Sequence, residues 1–290
     1  MAEARNGERF LLVGSPRIVA ETAALLERNN VQFLILDRTP EQYHAHVISS
    51  LVNPLDSTDE DPSYDEQLAP FKDRLIGSLD DLSAADLPTA VFDVSYVPAE
   101  LRQVLLEEVA ERVPNLLVLS STLTCTATEL ASTLSITAQV IGFNGMPGWT
   151  SLGRIELAPS LRSSERSINR ARRVFERLGM ETELVEDRVG LVTPRVLAML
   201  INEAAFAVME RVASPGDVDR AVTLGVNYPH GLLEWADMLG LDCVLSILDA
   251  LYEEYREPRY RACVLLRQYV RAGMLGRATG RGFFEYTPTN

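Results

Sequence analysis

The stretch RFLLVGSPRIVAETAALLERNNVQFLILD, residues 9–37, decides the fold. RFLLVG is a short apolar run of strand length. Ile18, Ala23 with Ala24, and Leu25 with Leu26 then recur at helical spacing and stop at the pair Asn29-Asn30. VQFLILD, residues 31–37, is a second apolar run closed by an acid. Strand, turn, helix and strand within about thirty residues make a βαβ unit.

Working outward, TAVFDVS (89–95), NLLVLSS (115–121) and QVIGFN (139–144) read as further strands, with AELRQVLLEEVAERV (99–113) an amphipathic helix between two of them. Such alternation predicts a parallel sheet covered by helices on both faces. The pattern changes after TELVEDRVGLVTP. From Arg195 onward the periodicity is helical almost throughout, in VLAMLINEAAFAVMERV (196–212), PGDVDRAVTLGV (215–226), LLEWADMLGLDCVLSILDALYEEYR (232–256) and RACVLLRQYVRAG (261–273). The expected fold class is therefore α/β, with an N-terminal parallel-sheet domain over residues 1–187 and an all-α C-terminal domain over 188–290.

Composition narrows the function. The chain has 290 residues, 47% hydrophobic content and a net charge of −14. The negative charge and the lack of a basic cluster outside helices argue against nucleic-acid binding, which needs a positive face for phosphates. No apolar stretch reaches the ~18 residues of a membrane span, and the N-terminus lacks the apolar core of a secretion signal. A cytoplasmic location is the expectation. Cys125, Cys243 and Cys263 are too scattered for a disulfide framework or a zinc site, and each sits in an apolar run that suits a reduced, buried thiol. Lys72 is the sole lysine, a skew attributable to base composition. DSTDEDPSYDEQ, residues 56–67, carries six acids and little apolar content, the composition of a loop. His44 and His46, two residues apart, do not share a helix face, which makes chelation there a poor reading. No metal site is expected.

The turn after the first strand, GSPRIV (14–19), occupies the place of a G-x-G-x-x-G dinucleotide fingerprint. Gly14 fills its first position. Pro16 and Val19 replace the second and third glycines, and Pro16 has no N–H to offer a phosphate, though it suits the first turn of a helix. Ser15 stands between them. Asp37, twenty-three residues after Gly14, is placed to accept from a ribose hydroxyl.

Taken together, these motifs resemble the 3-hydroxyacyl-CoA dehydrogenase family, which includes the 3-hydroxybutyryl-CoA dehydrogenases. The most specific part is GLVTPRVLAMLINEAAFAVMERVASPGDVDRAVTLGVNYPHGLLEWADMLGLD (190–242), which follows the family run G-hydrophobic-V-N-R, N-E-A, D-I-D, G-x-x-Y-P-x-G-P and D-x-x-G-L-D. GRATGRGFFEY (276–286) matches its K-T-G-x-G-F-Y-x-Y ending. The resemblance implies a Rossmann-type domain, NAD as cofactor, an acyl-CoA or related small hydroxy acid as substrate, and a dimer through the helical domain. The apolar faces of VLAMLINEAAFAVM and VLSILDALYEEY, larger than a ~100-residue helical domain needs for its own core, likewise point to a homodimer through residues 190–290.

The family's catalytic histidine, in G-x-H-F-F-N-P, takes the proton of the 3-hydroxyl, and a glutamate about twelve residues on orients it. Gly142 and Glu156 match the glycine and the glutamate, but Asn144 stands at the histidine position. An amide can donate a hydrogen bond yet cannot serve as a general base near neutral pH. Thr124 keeps a hydroxyl where the family has a substrate-contacting serine, Pro194 replaces the asparagine of V-N-R, and Asp93 stands for the glutamate of a central-strand E-A pair. Val97 and Arg102 take the places of the acid and the lysine in E-x-L-x-x-K. His230 replaces an apolar family residue and could line the substrate site. The resemblance thus implies a catalytic group of Glu156, Asn144 and Thr124, cofactor contacts at Gly14, Ser15, Pro16, Asp37 and Asp93, and substrate contacts at Pro194 and His230. Two functions remain open: an NAD(H)-dependent oxidoreductase with an altered site, or a catalytically silent relative that binds a ligand or a partner.

Overall fold

A computed structural model describes residues 8–40, 42, 66–83 and 86–286. His44, His46 and most of the acidic 56–67 stretch lie outside the described residues. The chain forms two compact units, residues 1–191 and 192–290.

The first unit is built on an eight-stranded sheet. Its strands are β1 (Arg9–Gly14), β2 (Gln32–Leu36), β3 (Leu75–Ile76), β4 (Ala90–Val94), β5 (Leu117–Ser121), β6 (Gln139–Phe143), β7 (Arg154–Pro159) and β8 (Glu181–Leu184). They lie in the order β3-β2-β1-β4-β5-β6-β7-β8. The helices are α1 (Pro16–Arg28), α2 (Ala99–Arg112), α3 (Ala127–Thr133) and α4 (Glu165–Arg177). Every residue of β4 and β5 is buried, as near-continuous apolar strands between two helical layers must be. Alternate side chains feed two cores. Phe10, Leu12 and Phe92 pack with Ile18 and Leu26 of α1 and Phe175 of α4, whereas Leu11, Val13 and Val91 pack with Leu105 and Val109 of α2 and Leu130 of α3. Trp149, fully buried, joins Phe92, Phe143 and Phe175 with ring centroids 5.1 to 6.0 Å apart, so this tryptophan is a core residue.

One pairing departs from the expected parallel order. β6 and β7 run antiparallel, with Gly142 opposite Ala158 and Phe143 opposite Leu157. The physical reason is the link between them. Residues 144–153 contain only the short helical turn Trp149–Ser151, too little chain for the crossover that a parallel neighbour requires. β3, β7 and β8 are not among the strands expected from the sequence.

The second unit contains α5 (Thr193–Met209), α6 (Pro215–Gly225), α7 (Leu232–Leu239), α8 (Leu241–Tyr255) and α9 (Val264–Arg271). Two buried aspartates tie it together through backbone N–H groups. Asp219 accepts from Leu233 N (2.8 Å) and Glu234 N (2.9 Å) at the start of α7. Asp237 accepts from Phe283 N and Phe284 N, both at 2.9 Å, and from the Tyr286 hydroxyl at 3.0 Å. A Cβ at residue 282 would lie 2.0 Å from the Asp237 carboxylate, so the closing segment needs glycine there. Burial lifts both aspartates above the usual carboxylate range, against the lowering effect of their N–H partners. Asn202 adds a third tie, donating to Arg261 O and accepting from Cys263 N. The motif residues of the helical half are thus its internal fastenings. Among the described residues, no helix is long and apolar enough to cross a membrane.

Candidate active site

The first unit's candidate residues gather where its parallel strands end. β1 turns out toward β2 on one side while β4 continues toward β5 on the other, and this reversal is the place where open α/β sheets take ligands. Gly14 closes β1 with φ +133, and a Cβ on it would stand 2.6 Å from the Val94 carbonyl carbon, so the two central strands can approach only because residue 14 is glycine. Ser15 is the N-cap of α1 and makes no side-chain cap bond, and Pro16 is the first helical residue. Asp37 follows β2, its backbone N–H bonded to Ile76 O at 2.9 Å.

Asp93 lies in β4, fully buried, with Arg102 of α2 beside it at 1% exposure. Arg102 Nη1 stands 3.1 Å from Asp93 Oδ2 and 2.8 Å from Ser121 O. Its Nε and Nη2 donate to Val97 O at 2.9 and 2.6 Å, and Nη2 also donates to Thr124 Oγ1 at 2.7 Å. Asp93 is completed by Ser120 Oγ at 2.6 Å and Ser95 N at 3.1 Å. All five guanidinium N–H groups therefore have acceptors, and both carboxylate oxygens have donors. The guanidinium of Arg102 supplies the planar fork that this geometry uses. Thr124, half-buried just beyond β5, donates to Val97 O at 2.8 Å, so its hydroxyl belongs to the same network. Sequence reasoning named Asp93 and Thr124 but missed Arg102 as the group that joins them.

Cys125 lies next to this network. Burial pushes its thiol up to about 12, with the Arg102 charge pulling the other way, so it is no nucleophile at neutral pH. All three cysteines are buried and free.

Asn144 follows β6 and is 2% exposed. Continuing the antiparallel register one step past Phe143 and Leu157 sets Asn144 across from Glu156, and Asn144 Oδ1 accepts from Glu156 N at 3.0 Å. The twelve-residue spacing of this pair is the arithmetic of that ladder. A backbone N–H must meet an acceptor, so the amide cannot be turned over, and its nitrogen is the group directed elsewhere.

Pro194 and His230 belong to the second unit. Pro194 is buried in the first turn of α5, and His230 is exposed, its ring edge-on to Trp235 at 5.6 Å. Among the described residues, no group of three or more His, Cys, Asp or Glu could hold a metal ion.

The described architecture and these motifs agree with known proteins. Residues 190–286 match the family model of the 3-hydroxyacyl-CoA dehydrogenase C-terminal domain. A probable 3-hydroxybutyryl-CoA dehydrogenase of Bacillus subtilis is 38% identical over 173 residues, a match that spans 60% of this chain and 60% of that protein. The 3-hydroxybutyryl-CoA dehydrogenase of Bradyrhizobium diazoefficiens is 33% identical over 72% of this chain and 70% of its own. The solved (S)-3-hydroxybutyryl-CoA dehydrogenase of Ralstonia eutropha superposes with a TM-score of 0.70 at 28% identity, covering 97% of this chain and all of that one.

Proposed function

The chain belongs to the 3-hydroxyacyl-CoA dehydrogenase family, and from that premise we propose that it is an NAD(H)-dependent oxidoreductase interconverting a 3-hydroxyacyl and a 3-oxoacyl thioester, or a related small hydroxy acid, at an altered site. The observation that carries the altered site is the 3.0 Å bond from Glu156 N to Asn144 Oδ1, an amide seated in the family's base position and held by the strand that brings Glu156.

The β1–α1 turn fits a dinucleotide in part. The Ser15 side chain leaves the N-terminus of α1 without a side-chain cap, where a phosphate is favoured, and Asp37 stands at the end of β2, where a ribose is recognised. Pro16 contributes no N–H. NAD, when bound, supplies the hydride acceptor or donor. The residues of this chain bind and orient: Asp93, through Arg102 and Ser120, fixes the ends of β4 and β5, and Thr124 and Asn144 stand past the ends of β5 and β6. Neither of these two side chains can take up a proton near neutral pH, so the proton of the substrate oxygen passes to another acceptor. On the second unit, Pro194 and His230 are the residues assigned to substrate in this reading.

The enzyme works in the cytoplasm, as three free, buried thiols suit, and as a homodimer through residues 190–290. Val196, Val212, Leu224 and Val226, each at least 53% exposed on the second unit, support the dimer. The locked amide also favours a second reading, a catalytically silent relative that binds the ligand without turning it over.

The test is NADH consumption with acetoacetyl-CoA. Asn144→His should raise the rate by about 10²-fold or more, because Glu156 is spaced to orient an imidazole, and the gain should vanish when Glu156→Ala is added. Wild type turning over at ordinary dehydrogenase rates, about 1–10³ s⁻¹, would refute the altered site. Inactivity of both wild type and Asn144→His would favour the silent relative.

A further inference from the structure

At the N-terminal end of the sheet the first unit holds a cavity of about 230 Å³, set between the start of β1, the residue before β2 and the second half of α4. Phe10, in its wall, lies four residues before Gly14 on β1, roughly 13 Å away at the rise of a strand, so the cavity is separate from the candidate active site. Its charged lining is three arginines, Arg170, Arg173 and Arg177, and one carboxylate, Glu8. Its floor is apolar, formed by Phe10, Val31, Val174 and Leu178 of the core. The spacing 170, 173, 174, 177 and 178 is one face of α4.

One arginine consumes the carboxylate. Arg170 Nε and Nη2 donate to the two Glu8 oxygens, each at 2.6 Å, and the Thr89 hydroxyl donates to Glu8 at 2.7 Å. Arg170 also donates to Asn115 O and Thr89 O. Burial by itself would raise the Glu8 carboxyl, but the hydrogen bonds from Arg170 and Thr89 and the charges of Arg170 and Arg173 hold it below the usual carboxylate range, which also puts the Arg173 charge close to this site. Arg177 donates to the neutral Asn30 carbonyl at 3.0 Å, and among the described residues neither it nor Arg173 pairs with a carboxylate. Three guanidiniums therefore face one carboxylate. In a chain of net charge −14, two positive charges stand unmatched around an apolar floor. The helix dipole favours Arg177 in the last turn of α4, but Arg173 lies a turn earlier, where that effect has faded.

We propose that this cavity is a second ligand site, which takes a phosphate monoester carrying a short apolar group. Such an ester brings a charge of about −1.5 to −2 at neutral pH, which matches the two unpaired guanidiniums, and its oxygens accept from the N–H forks of Arg173 and Arg177. A monocarboxylate neutralises only one of them. The volume, below the roughly 300–1,000 Å³ of drug-sized pockets, limits the apolar group to a short chain lying on Phe10 and Val174. The site is independent of the reaction proposed above.

Calorimetry of the full chain with butyl phosphate tests it, beside inorganic phosphate, which has no apolar group, and butyrate, which carries less charge. At low salt butyl phosphate should bind with a dissociation constant of about 1 mM or below, the other two at least about fivefold more weakly, and binding should weaken as salt is added. Arg173→Gln combined with Arg177→Gln should weaken butyl phosphate about tenfold or more. Both side chains are exposed, so the variant should keep its urea midpoint. Hydrogen exchange on wild type locates the ligand without any substitution: protection should appear over residues 170–178, and its absence there, with protection at the 14–19 turn instead, would assign the phosphate to the dinucleotide position. That result, no binding by wild type, or an affinity that survives the double substitution would overturn the proposal. Equal affinity for inorganic phosphate or butyrate would overturn the ligand class.

Discussion

Replacing Arg102 by methionine should unfold the first unit far more readily than removal of a surface charge would. The substitution keeps the bulk of the side chain's stem and deletes its cation, leaving the fully buried Asp93 carboxylate without a counter-charge. Breaking one side of a buried ion pair costs about 3–5 kcal/mol. Ser120 Oγ and Ser95 N still donate to Asp93, which places the expectation near the lower figure, but Val97 O and Ser121 O lose donors as well. We expect a loss of about 3–4 kcal/mol. The assay is urea unfolding followed by Trp149, fully buried in the first unit, in a Trp235→Phe background so that the second unit is silent. Adding Asp93→Leu to Arg102→Met should recover much of the loss, since apolar groups of similar volume commonly replace buried pairs without penalty. A loss below about 1 kcal/mol, or one that the added Asp93→Leu does not relieve, would refute the view that this network is buried and saturated.

Other expectations follow from the same structure. NADH should bind at least about tenfold more weakly than to a relative with all three fingerprint glycines, because Pro16 removes a phosphate donor; a low-micromolar constant by calorimetry would contradict this. Light scattering at micromolar concentration should give a mass twice the 32.1 kDa of the chain, and a mass of one chain would exclude the dimer. Because burial holds Asp219 and Asp237 above the usual carboxylate range, the folded second unit binds more protons there than its unfolded chain does. Its stability should therefore fall as pH rises from the ordinary carboxylate range through the raised folded-state values, and this slope should shrink in Asp237→Asn, followed by Trp235 fluorescence with Trp149 replaced by phenylalanine.

The sequence by itself determined the βαβ start, the helical second half and the twelve-residue spacing from Asn144 to Glu156. The first two are legible because apolar period is a local property: Leu11, Leu12 and Val13 in one run, or Leu197, Ile201 and Ala205 along one helix, state their element without reference to distant chain. Asn144 and Glu156 were visible as a spacing. Only the tertiary structure decided what that spacing means, because the antiparallel turn-back of β7 depends on how little chain links it to β6, and the facing of 144 and 156 is a matter of ladder register. The same holds for Arg102, whose partners Asp93, Ser121 and Thr124 come from the ends of two strands, β4 and β5, and for Asp237, which holds a segment more than forty residues away. Buried polar groups must find partners wherever the fold delivers them, and that choice is made between distant residues, where local pattern carries no information.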